Sequence, residues 1–150
     1  RRNMLKDEFF HFSLSLIAGV IVGYFFANWW AIPLALAAGF FIDVDHLIDY
    51  LIYEKFRRFD LRNFFTGEYF DRSGKVYVFA HGFEFAMVLI MLGAIYPNLG
   101  WFFYSLGFAD LLHLLYDTFA NGAIWPTYFF LFRLAKNFDH QTFKFPKCQK

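Results

Sequence analysis

The chain has 150 residues, of which 59% are hydrophobic and only 18% are charged, and 25 of them are phenylalanine. Soluble domains average about 45–50% apolar and about 25% charged residues, and the core of so short a chain cannot take up the excess. The abundance of aromatic residues excludes a disordered chain. The net charge of +1 indicates no acidic or basic partner, and the single cysteine, Cys148, excludes a disulfide framework and a cysteine-ligated zinc site. We therefore expect lipid to be the solvent.

Two apolar stretches near the N-terminus are each long enough to cross a membrane, which takes roughly 20 mostly apolar residues. They run over about residues 9–27 and 29–53. The tight connection at Asn28 predicts that they form a helical hairpin. Basic residues before the first stretch resemble the start of a signal peptide, but the apolar run is longer than a typical signal sequence. We therefore expect the first stretch to be retained as a span.

The rest of the chain repeats this pattern and ends in an aromatic segment. Further spans are predicted at about 76–96 and 99–119, joined by a tight turn at Pro97, and the polar loop 54–75 connects the two hairpins. The segment 123–135 is too short to span and is typical of an interfacial helix. The sequence thus predicts an all-α integral membrane protein in one domain. We expect a four-helix bundle made of two helical hairpins, with a C-terminal interfacial helix.

The positive charges predict the orientation. Every lysine and arginine lies before the first span, in the loop 54–75, or in the tail from Arg133 onward. With four spans these three segments share one side of the membrane, and the positive-inside rule makes that side the cytoplasm. We expect a protein of the bacterial inner membrane with both termini in the cytoplasm.

Six carboxylates and four histidines lie within the predicted spans. An ionised carboxylate at the centre of a membrane helix costs roughly 2.5–3.5 kcal/mol, so we expect protons, water or a metal ion to neutralise them. Counted from the outer turns at about 1.5 Å per residue, each of the four predicted helices carries a polar group at a depth of roughly 24 Å. These groups therefore form one polar layer. The ten residues are His11, Asp43, Asp45, His46, Asp49, His81, Glu84, Asp110, His113 and Asp117.

Helical spacing groups these residues by face and predicts a metal site. Asp110, His113 and Asp117 stand at i, i+3 and i+7 on one face of the fourth helix. Histidine with carboxylate is a ligand set for zinc, manganese or iron, and four-helix bundles build such sites from inward-facing side chains. We predict one or two divalent transition-metal ions, zinc first, with a protonated polar network as the alternative. The predicted ligands are His11, Asp43, Asp45, His46, His81, His113 and Asp117, and Asp110 is predicted to orient a ligand or to be an additional one.

Three short motifs resemble the signature blocks of bacterial YdjM-like proteins. They are FIDVDH at 41–46, AHG at 80–82 and HLLYDTFANGAIWP at 113–126. The resemblance covers about residues 11–126 and implies an inner-membrane, metal-dependent hydrolase, with His11 as the early histidine of the family pattern. The second motif lacks the arginine that the family carries before its histidine. The resemblance therefore supports the positions of the family's metal ligands in this chain more strongly than it supports the family's contacts to a substrate.

These features predict hydrolysis of an ester or phosphoester, with Glu84 or Asp49 as the general base. Because the polar layer lies at the level of the inner head groups, we expect a lipid or lipid-linked substrate. Two alternatives stay open, namely a metal-ion or proton transporter and a non-enzymatic membrane subunit with a structural metal. A transporter needs polar groups at several depths, whereas these form one layer.

The loop 54–75 interleaves cations with aromatic residues. This pattern indicates anchoring at the cytoplasmic surface, or contact with phosphate or anionic lipid. Neither a recognised fold nor enough basic charge supports a nucleic-acid partner. Membrane lipids are therefore the expected partners.

Overall fold

The computed structural model describes residues 4–55, 57, 59–60, 64, 72–120 and 124–143. Most of the polar loop 54–75, the first three residues and Cys148 lie outside this part of the chain. Predictions that depend on those positions, including the charge pattern of the loop and the N-terminal basic residues, therefore stay predictions.

The described residues confirm the all-helical prediction. They contain no strand, and their one β-bridge pairs Lys75 with Asp139. Within the described ranges, short 3-10 helices lie at Pro97–Leu99, Trp125–Tyr128 and His140–Phe143. The α-helices are α1 (Met4–Phe25), α2 (Ala31–Phe41), α3 (Val44–Tyr53), α4 (Phe83–Ile95), α5 (Gly100–Ala120) and α6 (Phe130–Ala135).

By length and composition, two stretches of the described chain could cross a membrane. They are Glu8–Phe25 in α1 and Ala31–Tyr53, which comprises α2 and α3. The stretch Phe83–Ile95 and Pro97–Ala120 is bent by 119° between its two parts and could add a third span. Membrane-spanning helices are thus supported, with two or three candidates where the sequence predicts four. The four-helix membrane bundle stays a prediction.

The second predicted span is broken by a turn between α2 and α3. Asp45 donates its backbone N–H to the carbonyl of Ile42 at 3.4 Å, and His46 donates to the carbonyl of Asp43 at 3.1 Å. These hydrogen bonds are one residue shorter than those of an α-helix and form a tight turn. The turn places the motif residues at the first positions of α3.

The third predicted span becomes helical later than expected. Gly82 has an extended backbone, with φ −136° and ψ 126°, and α4 begins only at Phe83. Residues 76–82, which we call the His81 loop, are not helical. Three of their backbone N–H groups donate to carboxylates on α3, which replace the hydrogen bonds that a helix would supply.

The long helices pack through small residues. α1 packs on α2 and α5, α2 also packs on α5, and α4 packs on α5. Ala18, Ala35 and Ala109 form a buried cluster among α1, α2 and α5. A Cβ atom at Gly39 would lie 1.9 Å from the Oγ of Ser15, so α1 and α2 approach closely at this glycine. Small residues at helix interfaces are typical of membrane proteins.

Polarity is distributed in the opposite way to that of a soluble protein. Large apolar side chains cover the outside of the helices, with Phe119 85% exposed and Phe25 78% exposed. The interior holds polar and charged side chains. This arrangement suits a lipid surrounding, in which an apolar exterior carries no cost. The buried polar and charged residues include His11, Ser15, Asp45, Asp49, His81, Asp110, His113, Asp117 and Arg133.

Candidate metal centre

Four segments of the chain bring all the predicted ligands together. His11 lies on α1, Asp43 precedes α3, and the others come from α3, the His81 loop and α5. They form three overlapping groups, in each of which the ligand atoms lie within 4.8 Å of one another. We call these seven residues the His/Asp cluster. The groups are His11, His113 and Asp117; Asp43, His81 and His113; and Asp45, His46 and His81.

The centre of the cluster lies between two histidines and two carboxylates. The Oδ1 of Asp43 is 3.3 Å from the Nε2 of His81 and 3.5 Å from the Nε2 of His113. The Oδ2 of Asp117 is 3.6 Å from the Nε2 of His113 and 3.9 Å from that of His81. Four ligands at about 2.0–2.1 Å around one tetrahedral ion would lie roughly 3.3 Å apart. The observed separations are close to that value.

Asp117 extends the cluster toward α1. Its Oδ1 lies 3.4 Å from the Nε2 of His11, while its Oδ2 faces His113. The rings of His11 and His113 stack with their centroids 3.7 Å apart and their planes 16° apart. The two carboxylate oxygens therefore face two different histidines, so Asp117 would be available as a ligand together with either of them.

Asp45 connects the cluster to the His81 loop. Its Oδ1 lies 2.9 Å from the Nδ1 of His81. Its Oδ2 accepts the backbone N–H groups of Ala80, at 2.8 Å, and of His81, at 3.2 Å. A carboxylate on the far nitrogen of a metal-binding histidine fixes the orientation of the ring. Asp45 is therefore placed to orient His81 while its Nε2 faces the centre.

Exposure is uneven across the cluster. His11, Asp45, His81, His113 and Asp117 are buried, whereas the side chain of Asp43 is 35% exposed. His46, whose ring centroid lies 4.5 Å from that of His81, is half-buried. The side of the cluster formed by Asp43 and His46 is therefore its most accessible side.

The two predicted general bases lie outside the three groups. Asp49 is buried and accepts the backbone N–H of Tyr77 at 3.2 Å, so it holds the start of the His81 loop. Glu84 accepts the backbone N–H of Phe130 at 2.8 Å and that of Leu131 at 3.0 Å. These contacts stabilise the first turn of α6. Both carboxylates therefore hold backbone N–H groups, and their role as the general base stays a prediction.

Asp110 is the remaining carboxylate of the predicted site. It is 4% exposed, lies three residues before His113 on α5, and belongs to none of the three groups. Neither of its oxygens has a hydrogen-bond partner within the described residues. A buried carboxylate without partners is costly, which marks Asp110 as a functional candidate.

Arg133 is buried, although the sequence pattern indicates only that it begins the basic tail. Its side chain is 2% exposed. Its Nη1 donates to the carbonyls of His81, at 2.6 Å, and Thr127, at 2.8 Å, and its Nη2 donates to that of Val78 at 2.9 Å. Burial lowers the pKa of the guanidinium, and the carboxylates of Asp45 and Glu84 oppose this effect. The only indication of this burial in the sequence is that a single arginine interrupts the aromatic segment that forms α6.

The chemistry of the cluster fits a transition-metal ion. Imidazole and carboxylate groups suit zinc, manganese or iron. The Nε2 atoms of His81 and His113 are buried beside carboxylates of the cluster but make no well-aligned hydrogen bond within the described part of the chain. A metal ion would satisfy such atoms, since buried polar groups are rarely left without a partner. The buried His and Asp groups could therefore hold a metal ion.

The fold and the cluster define a class of protein: a helical chain with candidate membrane-spanning helices and a buried His/Asp group able to hold a metal. Compared with family models, with curated proteins and with solved structures, the chain has no significant match. The resemblance to the YdjM-like family therefore stays a prediction from the motifs.

Proposed function

We propose that the protein is a metal-dependent hydrolase embedded in the bacterial inner membrane, with its termini in the cytoplasm. It acts on an ester or phosphoester of a lipid or lipid-linked head group. We infer a bundle in which α1, the α2–α3 stretch, α4 and α5 all enter the membrane, with α6 at the interface. The observation that supports this function best is that Asp43 and Asp117 both face the Nε2 atoms of His81 and His113.

The proposed ligands are the residues of the His/Asp cluster, with zinc preferred over manganese or iron. A metal held there would supply Lewis-acid polarisation of the scissile group and would lower the pKa of water to about 7. The half-exposed side of the cluster, at Asp43 and His46, is where a polar head group can approach. The buried side keeps the ligands fixed in position.

Two residues hold the His81 loop in position, and a third is a candidate proton acceptor. Asp45 orients His81 in addition to its proposed place among the ligands, and Arg133 holds the carbonyls of the loop that carries His81. Asp110 is the candidate proton acceptor, because its oxygens accept no hydrogen bond within the described residues and it lies one turn before His113. Glu84 and Asp49 stay the alternatives for this role, although each accepts a backbone N–H group.

The metal site is tested first, by metal analysis of the full chain purified in detergent. We expect stoichiometric transition metal in the wild type and its loss in His113→Ala. The matched control is His140→Ala, because His140 lies in the C-terminal 3-10 helix and belongs to none of the three groups. A wild-type protein without stoichiometric metal would overturn the proposal.

The reaction is tested next with the metal-loaded protein. We expect it to release a head group or a fatty acid from a panel of phosphoester and carboxyl-ester lipids in mixed micelles, and His113→Ala to release none. Metal-loaded protein that hydrolyses nothing in the panel but carries metal into proteoliposomes is a transporter. One that does neither holds a structural metal, and either result rejects the hydrolase.

A further inference from the structure

An apolar groove runs between α1 and α2 and reaches the His/Asp cluster. Its volume is about 370 Å³, which lies in the usual range of about 300–1,000 Å³ for ligand pockets. Four apolar side chains on the lipid-facing side of the two helices form its walls, and Glu8 stands at its exposed rim. His11 lies in the lining, so the groove connects the outer surface of the helices with a proposed metal ligand. The walls are Phe9, Phe12, Leu36 and Phe40.

The floor of this α1–α2 groove is polar and lacks hydrogen bonds. The Oγ of Ser15 and the Nδ1 of His11 are buried and have no partner within the described residues. Ser15 differs in this from Ser13, Ser105 and Thr118, whose hydroxyls donate to the carbonyl four residues earlier in their helices. The hydroxyl of Ser15 instead lies over Gly39, another residue of the lining.

A second groove of similar size provides a comparison. It has a volume of about 330 Å³, lies beside α2 and the start of α5, and is lined by no titratable residue. Like the first groove it has apolar walls, but its lining contains no polar floor and no residue of the His/Asp cluster. Its lining is Trp30, Pro33, Leu34, Ala37, Trp101 and Phe102.

We propose that the α1–α2 groove binds one hydrocarbon chain of a membrane lipid, whose ester or phosphoester oxygens accept hydrogen bonds from Ser15 and His11. This inference rests on the proposed function and adds to it a binding site for the hydrocarbon chain of the substrate and a route of entry. The lipid enters sideways from the bilayer, because the apolar walls face outward and the polar atoms lie at the inner end. A soluble phosphoester would leave these walls uncovered.

Chain binding is measured by photolabelling, which does not require turnover. The full chain is reconstituted into vesicles of phosphatidylcholine and phosphatidylglycerol that contain a phospholipid with a diazirine on one acyl chain. After photolysis, peptide mass spectrometry locates the label. We expect more label on the walls of the α1–α2 groove than on those of the second groove, and the same pattern in His113→Ala.

Two substitutions of similar size test the site. In Leu36→Trp the indole occupies the α1–α2 groove, and we expect the label there to fall about tenfold because the chain loses its buried surface. In Ala37→Trp the indole occupies the second groove, and the label in the α1–α2 groove should not change. Metal content and circular dichroism verify that both variants are folded.

The polar floor is tested by Ser15→Ala, with Ser13→Ala as the control because the hydroxyl of Ser13 is already bonded to the carbonyl of Phe9. We expect Ser15→Ala to raise the KM for the lipid and to leave the metal content unchanged. Equal labelling of the two grooves, or labelling that persists in Leu36→Trp, would overturn the inference. Absence of metal or of hydrolysis alongside selective labelling would reject the proposed function and leave the lipid site in place.

Discussion

The guanidinium of Arg133 donates a hydrogen bond of 2.6 Å to the carbonyl oxygen of His81, which lies 52 residues earlier in the chain. The same side chain also holds the carbonyls of Val78 and Thr127. Helix α6 is therefore tied to the loop that presents a central histidine, although α6 contributes no ligand. We therefore expect the position of His81 in the candidate metal centre to depend on this contact.

Arg133→Met should lower both stability and metal affinity. The substitution keeps an apolar stem but leaves the buried carbonyls of His81 and Thr127 without this donor, which should cost about 2 kcal/mol or more. The carbonyl of Val78 keeps the backbone N–H of His81 as a donor. Loss of a group that orients a ligand typically lowers metal affinity by about 10–100-fold. Thermal unfolding in detergent and competition with a chelator measure the two effects.

The control is Lys136→Met, which removes a positive charge from the exposed residue just after α6. It should leave metal affinity unchanged. Equal effects of the two substitutions would show that charge, and not the contacts of Arg133, is responsible.

The clustering of His11, His113 and Asp117 could be predicted from the sequence, because all three lie on helices, where depth and facing depend only on position along the helix. His81 and Asp43 join them from a loop and a turn, which helical spacing does not describe. The roles of Asp49 and Glu84 could not be predicted in this way. Their partners are backbone N–H groups of Tyr77 and Phe130, which are brought in by tertiary folding.

The same physics explains the helix limits. Apolar composition predicted a helix over about 76–96, but the carboxylates of Asp45 and Asp49 offer acceptors to the N–H groups of residues 77, 80 and 81. These contacts stabilise a loop where hydropathy favours a helix. The contacts of Arg133 could not be predicted from the sequence either, since a basic residue after an apolar run is typical of a membrane anchor.

Asp45→Asn and Asp43→Asn should affect the site differently. Asp45 contacts the Nδ1 of His81, so Asp45→Asn should weaken metal binding by about 10–100-fold while metal still binds at high concentration. Asp43 faces both central Nε2 atoms, so Asp43→Asn should lower the stoichiometry itself. Titration of the metal-free protein with Zn²⁺ distinguishes a change in affinity from a change in stoichiometry. Identical titration curves for the two variants would contradict the assigned roles.

His11→Ala should remove less metal than His113→Ala. His11 belongs to one of the three groups, whereas His113 belongs to two of them. We expect His11→Ala to retain metal in the group formed by Asp43, His81 and His113, and His113→Ala to lose metal from both groups. Metal analysis after gel filtration measures the difference. A greater loss in His11→Ala would place the principal site at α1.

Glu84→Ala and Asp110→Asn should separate stability from catalysis. Glu84 accepts two N–H groups at the start of α6, and removal of such a cap typically costs about 0.5–2 kcal/mol. We therefore expect a lower unfolding temperature in Glu84→Ala with unchanged kcat. Asp110→Asn keeps the shape of the side chain but cannot accept a proton, and it should lower kcat by about 10²–10⁴-fold with metal content preserved. Unchanged kcat in Asp110→Asn would remove Asp110 from the mechanism.

Gly39→Ala should force α1 and α2 apart. The new Cβ would lie 1.9 Å from the Oγ and 3.0 Å from the Cβ of Ser15, on the facing helix. Overpacking of this kind costs about 1–3 kcal/mol, and His11, one turn from Ser15, should be displaced with a loss of metal affinity. The double variant Ser15→Gly with Gly39→Ala removes the facing side chain and should recover most of the lost stability in thermal unfolding. If the double variant is no more stable than Gly39→Ala alone, the close approach of the two helices at Gly39 is not what makes glycine necessary there.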